Sequence, residues 1–444
     1  MISLGCSKNL VDSEVMLGLL KENGFEITPN ENADILIVNT CAFIEDARNE
    51  SMDTITEFIK VGKKQKSKII VTGCLAQRYA NILEKRFHGK IHAVLGTGDF
   101  YEIVEACKSA LNGEKFTKVS KTSSYIYDHL TPRLIATPSH FAYIKIAEGC
   151  DNCCAYCVIP QIRGPYRSRP IESVLAEVDS FVLSGVKEAV LIAQDTTYYG
   201  KDLYNGTDLA SLLKRLISSS EIPWIKILYA HPEHVSDEFI KLMAEEERIC
   251  SYIDLPIQHI HDDILKKMGR GSTEKEIREL LDKIRDTIPD VTLRTSLMVG
   301  FPGETDEHFS DLMDFVEDIR FDHIGVFSYS PEEGTVAESM SDQVPESVKQ
   351  DRLSQLAELH TEISNEKRLE LIGRKMKVIV DAVDESCEQS LGRTQGQAPD
   401  IDDIVILVPP SDGRGIDGNP KKGDFALIEI VDTSNIYDLV GRII

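Results

Sequence analysis

Four cysteines crowd into eight residues, Cys150-Asp-Asn-Cys153-Cys154-Ala-Tyr-Cys157. Two ligand sets can be drawn from them. Cys150-x2-Cys153 with Cys154-x2-Cys157 would offer four thiolates to zinc. Paired CxxC halves are ordinarily separated by a longer arm, however, and these run back to back. Cys150-x3-Cys154-x2-Cys157 instead offers three thiolates to an iron–sulfur cubane and leaves one iron open, with Cys153 outside the set. The second set is preferred over zinc or a structural role.

A second group is Cys6, Cys41 and Cys74, spaced 35 and 33 residues apart, each directly after an apolar run. If those runs are neighbouring parallel strands, their carboxyl ends share one edge of a sheet and the three thiols can converge. Buried structural thiols are the plainer alternative. Cys107 continues the interval of 33, but it shares an apolar helical face with Ile103 and Val104 and reads as core. Cys250 and Cys387 stand singly. His259-Ile-His261 lacks a third ligand nearby. The five lysines over 60–68 read as a solvated helix end and loop, and the basic stretch 163–169 as a possible cofactor or substrate contact. No Ser/His/Asp set, phosphate loop or dinucleotide fingerprint appears in its required context.

Three kinds of element must position these cysteines. Residues 1–111 alternate short apolar runs (2–5, 35–40, 69–73, 93–96) with helical patterns, which predicts a doubly wound parallel α/β domain. Residues 112–138 lose periodicity and carry Pro132 and Pro138, so they read as a linker. Over 139–371 the alternation repeats six times, with strands at 141–147, 189–195, 225–230, 252–258, 292–300 and 323–330. Six β/α units make an open sheet or a partial barrel, and both bind ligands at the carboxyl ends of their strands. After a helical stretch at 349–371, residues 372–444 read as five strands with turns such as Asp412-Gly413 and Asp417-Gly418, a small antiparallel barrel.

The length of 444 residues suits about three domains. With 49 basic against 73 acidic residues the formal charge is −24. That weakens nucleic acid and anionic membranes as default partners and suits a basic one. No apolar run approaches the length that crosses a bilayer, and the opening residues already read as a strand, so a cytoplasmic location is expected. Ten cysteines in a reducing compartment point to metal or redox chemistry.

The CxxxCxxC segment closely resembles the signature of the radical S-adenosylmethionine (SAM) superfamily. The resemblance implies a [4Fe–4S] cluster whose open iron takes SAM, and a partial (β/α)6 barrel rather than an open sheet. Tyr156 matches the superfamily position that contacts adenine. Gln194, Asp195 and Gln258 at strand ends, and Arg294 within its strand, become candidates for the SAM and substrate pocket.

The whole chain resembles the methylthiotransferases. Gly5-Cys6-Ser7-Lys8-Asn9-Leu10-Val11-Asp12-Ser13-Glu14 and Glu148-Gly149-Cys150-Asp151 carry the strongest match. The resemblance implies that Cys6, Cys41 and Cys74 ligate an auxiliary [4Fe–4S] cluster, that Cys150, Cys154 and Cys157 ligate the radical cluster, and that the terminal barrel is a substrate-binding TRAM domain. It implies replacement of C–H by C–S–CH3 with two SAM per turnover, an external electron donor and a sulfur donor. Arg163-Gly164-Pro165-Tyr166-Arg167-Ser168-Arg169-Pro170, Gln194-Asp195-Thr196-Thr197 and Ile253-Asp254-Leu255-Pro256-Ile257-Gln258-His259 resemble the branch that modifies an aspartate β-carbon of small-subunit ribosomal protein twelve. The other branch acts on isopentenyladenosine in tRNA. Residues 374–444 hold 8 basic and 13 acidic residues, net −5, which suits a basic protein better than phosphates. A non-enzymatic iron–sulfur binding or assembly protein is the remaining alternative.

Overall fold

Parallel strands need crossover connections, and the first 118 residues supply them by strict alternation. A computed structural model of the chain describes every residue except 31, 204–205, 385–388, 410–419 and 435–437. Cys387 and the two Asp-Gly turns expected near the end of the chain lie outside the described residues.

Strands β1 (Ile2–Ser3), β2 (Ile35–Thr40), β3 (Lys68–Gly73), β4 (Ala93–Leu95) and β5 (Phe116–Lys118) alternate with α1 (Ser7–Glu22), α2 (Glu45–Gln65), α3 (Cys74–Arg86) and α4 (Ile103–Leu111). They form one parallel sheet in the order β1-β2-β3-β4-β5. Successive side chains point to opposite faces. Ile37 and Ile70 therefore share a core with Val15 of α1 and Ala106 of α4, whereas Val38 and Val71 share another with Ile55 of α2 and Leu75 of α3. The expected linker is partly sheet, since Phe116–Lys118 pairs with β4. Three residues are too few to register as a periodic run, and only the neighbouring strand makes them one.

The second unit opens with β6 (Phe141–Lys145) and a hairpin, β7 (Ala147–Glu148) with β8 (Arg167–Ser168). The cysteine loop and the short α5 (Ile159–Arg163) are an excursion closed at its base by that antiparallel pair. Strands β9 (Glu188–Ile192), β10 (Trp224–Ile227), β11 (Tyr252–Asp254), β12 (Thr292–Val299) and β13 (His323–Ser328) follow. Between them run α6 (Ile171–Leu183), α7 (Leu209–Ser219), α8 (Asp237–Glu245), α9 (Asp262–Lys267), α10 (Glu274–Thr287) and α11 (Asp306–Ile319), and α12 (Glu346–Glu370) ends the unit. Two three-stranded parallel sheets, β6-β9-β10 and β11-β12-β13, meet where Ile225 bridges Ile249. The result is a six-stranded partial barrel with its helices outside.

The last unit is a closed barrel in the order β14-β15-β16-β18-β17, from β14 (Lys375–Asp384), β15 (Gln389–Thr394), β16 (Val405–Val408), β17 (Phe425–Ser434) and β18 (Asp438–Ile443). It is not wholly antiparallel, as expected from hairpins alone, because β16 and β18 run parallel. Val378, Val380, Val405, Leu407, Ile428 and Ile430 fill it.

This small barrel closes the amino end of the large one. His140 meets Asp381 at 2.7 Å, Arg393 meets Glu188 at 2.8 Å, and Tyr252 donates to Asp402 at 2.7 Å. Trp224 packs edge-on against Phe425. Each of these large-barrel residues stands at or just before the start of its strand. The cysteine loop lies at the opposite, carboxyl end.

Candidate metal centres

The carboxyl end of the N-terminal sheet gathers the first cysteine trio. Cys6 caps α1, Cys41 follows β2, and Cys74 opens α3 directly after β3. Gly5 makes the first approach possible. Its φ is +87°, and a Cβ there would fall 2.8 Å from both Cβ and Sγ of Cys41. The backbone of Cys41 is held by Ser51 of α2, whose hydroxyl accepts from the Cys41 N–H and donates to its carbonyl.

The three thiols feel one another and one guanidinium, that of Arg163. Burial pushes Cys74 up to about 12, with Arg163 opposing and Cys6 and Cys41 adding to the rise. Burial likewise raises Cys41. Cys6 differs in sign. Burial again works against its thiolate, but Lys8, Arg163 and the N–H groups of Asn9 and Lys8 at the helix start outweigh it, and the net shift is downward.

The second trio lies in the loop after β7. Gly149 has φ +79°, and a Cβ there would meet the Pro165 carbonyl at 2.1 Å. Cys157 is pushed up to about 12 by burial and then by Cys154 and Cys150, and Cys150 to about 11 by burial, Asp195 and Cys154. Cys153 is not among the main groups acting on Cys150 or Cys157. Its exposed thiol turns to the Asp151 carbonyl at 3.7 Å. The Cys157 sulfur accepts from the Ile159 N–H at 3.4 Å, and Arg270 stands 3.9 Å from the Cys154 sulfur.

Three soft thiolates at each site are a donor set whose chemistry suits iron.

Arg163 joins the two regions. It is buried, 3.9 Å from the Cys74 sulfur, and its Nη1 contacts Asp12 at 3.1 Å and Glu148 at 3.0 Å. Its Nη2 donates to Asn9 at 3.1 Å. Lys145 binds the same two carboxylates. Burial would raise Glu148, yet Arg163 and Lys145 hold it down at about 2. The basic stretch over 163–169 is therefore not a surface patch: Arg169 is also buried, on Glu177.

The remaining candidates divide. Tyr156 is half-buried between the two last cysteines of its trio, edge-on to Phe301. Gln194 follows β9 and Gln258 follows β11, and neither side chain makes a hydrogen bond among the described residues. Gln258 has φ +75° and bridges Leu297 through its backbone. Asp195 is saturated by Asn152 of the cysteine loop, Thr197 and His234. Arg294 is a correction. It stands at the start of β12, bound to Asp254 at 3.0 Å and to Asp402 of the small barrel at 3.3 Å, away from the carboxyl end. A strand carries side chains along its whole length, and sequence alone does not say which end a residue serves. His259 and His261 part company: His259 is buried near Glu304, while His261 meets Asp263 and His308. Arg270 and Lys8 were missed, because a lone cation carries no spacing signal.

Fold and cysteine loop together define a radical SAM enzyme with an added domain at each end. The radical SAM superfamily matches residues 144–316, the uncharacterized protein family UPF0004 matches 1–96, and the TRAM domain matches 372–444. Membership of the superfamily brings a [4Fe–4S] cluster and SAM as cofactors. A solved structure of similar fold is the radical SAM methyltransferase TsrM from Kitasatospora setae, at TM-score 0.52 and 15% identity over 73% of this chain and 72% of that one. Proteins named ribosomal protein uS12 methylthiotransferase RimO are far nearer in sequence. Those of Desulforamulus reducens and Syntrophotalea carbinolica are 49% and 47% identical over 100% of this chain and 98% and 96% of their own lengths. That of Geobacter sulfurreducens is 46% identical over 100% of this chain and 98% of its own. The chain belongs to the RimO family of methylthiotransferases.

Proposed function

We propose that this protein converts a β-carbon C–H of an aspartate in ribosomal protein uS12 to C–S–CH3, consuming two SAM per turnover. Cys150, Cys154 and Cys157 hold the cluster that takes SAM, and Cys6, Cys41 and Cys74 hold a second [4Fe–4S] cluster. When bound, these groups supply hydrogen-atom abstraction and a sulfur to be inserted. An external electron donor and a sulfur donor complete the reaction, which takes place where ribosomes are made, in the cytoplasm. No helix among the described residues is long and apolar enough to cross a membrane.

The protein's own work is registration. Arg163, Asp12, Glu148 and Lys145 form one buried ionic knot that ties α1 to the hairpin beneath the cysteine loop. A radical step tolerates little misplacement of its reactants, so a rigid tie between the two sites is what the chemistry needs. Tyr156 flanks the SAM site, with the free amides of Gln194 and Gln258 at the same end of the barrel. The observation that carries the reading is Arg163, on the short helix that follows the second trio, reaching the Cys74 sulfur of the first.

Two measurements test it. Anaerobic reconstitution should yield about eight irons per chain, four for each cluster; zinc alone would leave a non-enzymatic protein. In cells with and without the gene, uS12 should differ by about 46 Da on one aspartate, the mass of SCH3 replacing H. The same gain on tRNA instead would transfer the activity to the nucleic-acid branch.

A further inference from the structure

Lys8 is the second residue of α1 and is only 5% exposed. Its ammonium lies 2.9 Å from the centroid of the Tyr229 ring. Among the described residues it has no hydrogen bond and no carboxylate within 4.0 Å. Other buried cations are paired: Lys145 and Arg163 with Asp12 and Glu148, Arg169 with Glu177, Arg393 with Glu188. An ammonium taken out of water without a counter-charge is costly, and an aromatic face compensates only in part. The fold keeps this cost at one point.

That point lies beside the first cysteine trio, at the carboxyl end of the barrel from which the second cysteine loop also springs. Lys8 is near enough to Cys6 to lower its thiol, and Tyr229 follows β10 at the carboxyl end of the barrel. Tyr229 has φ +63°, a strained value for an aromatic residue. Its N–H donates to Asp254 of β11 at 3.0 Å, and its carbonyl accepts from the Thr196 N–H at 3.0 Å, so the backbone is pinned from a strand and from the loop after β9. Ser7 adds a contact between its hydroxyl and that of Tyr229 at 3.4 Å. Strain held this firmly is typical of ligand clamps.

We propose that Lys8, seated on Tyr229, is the anchor for the side-chain carboxylate of the aspartate being modified. This rests on the substrate reading given above. An aspartate carboxylate is bonded directly to the β-carbon, so one charge pair at Lys8 sets the reacting carbon between the two centres. The arriving carboxylate supplies the carboxylate partner that the protein itself does not, and an amide in its place leaves the ammonium without one.

The test uses reconstituted holoenzyme, recombinant uS12, and uS12 with asparagine at the modified position. The wild type should bind the asparagine form at least tenfold more weakly than the aspartate form. Lys8→Met should retain wild-type iron content, raise KM for uS12 at least tenfold and bind the two forms alike, and Lys8→Arg should recover part of the discrimination. Undiminished discrimination in Lys8→Met overturns the proposal. Loss of about half the iron in Lys8→Met also overturns it, by assigning the ammonium to the second cluster. A wild type that neither binds nor modifies uS12 fails the substrate reading itself, and the anchor with it.

Discussion

Arg163, six residues beyond Cys157 in the chain, points its guanidinium at the sulfur of Cys74, 3.9 Å away in a different domain. One side chain thus belongs to both cysteine regions. Its charge is balanced by Asp12 from one domain and Glu148 from the other.

Breaking that knot should be costly. Arg163→Met leaves Asp12 and Glu148 sharing Lys145 alone, and removing one partner of a buried ion pair costs about 3–5 kcal/mol. A fall in the apoprotein's thermal midpoint, together with loss of iron at the first trio, is the expected result. Arg163→Lys should recover stability only in part, since an ammonium cannot span Asn9 and both carboxylates. An unchanged midpoint would show that the domains are registered by something else.

The trios should separate by mutation. Cys74→Ala is expected to lower iron from about eight to about four per chain and abolish thiomethylated product while reductive SAM cleavage persists. Cys153→Ala should keep all three, because its thiol faces the Asp151 carbonyl and the solvent. Loss of iron in Cys153→Ala would refute the Cys150/Cys154/Cys157 frame.

Charge on the terminal barrel should steer uS12. Asp381, Asp402 and Asp403 turn toward the large barrel, so among the described residues it is the outward carboxylates that can meet a partner. Changing the outward Glu429 and Asp432 to Lys should weaken uS12 binding several-fold at low salt and less at high salt. Equal affinity at every ionic strength would discard this docking face.

Docking of the terminal barrel should be acid-labile. Burial alone would raise Asp381, but the hydrogen bond from His140 and the Arg393 guanidinium outweigh it and hold the carboxyl below its usual value. A group lowered by folding stabilises the fold above its unfolded pKa, about 3.9, and that contribution fades as pH falls through the lower folded value. Urea titrations of the apoprotein from pH 6 to about pH 3 should show stability falling at the acid end, and Asp381→Asn should flatten that part of the profile. A wild type and variant with parallel profiles would assign the acid sensitivity elsewhere.

Much of this was legible in linear order. Cys150, Cys154 and Cys157 sit on one loop, so their spacing is itself a geometric statement. The alternation of apolar runs with helical patterns announced parallel sheets, whose carboxyl ends must gather Cys6, Cys41 and Cys74 because strands laid side by side share an edge. Spacing along the chain carries local chemistry faithfully.

Contacts between domains left no such trace. Arg163 meets Cys74 from 89 positions away in the chain, Arg294 is spent on Asp402 at the far end of the barrel, and Lys8 is seated on the Tyr229 ring rather than on a carboxylate. Composition could count the charges of the last domain but not say that three of its acids face inward. Which cation pairs with which anion is a matter of burial, and burial exists only once the domains have packed.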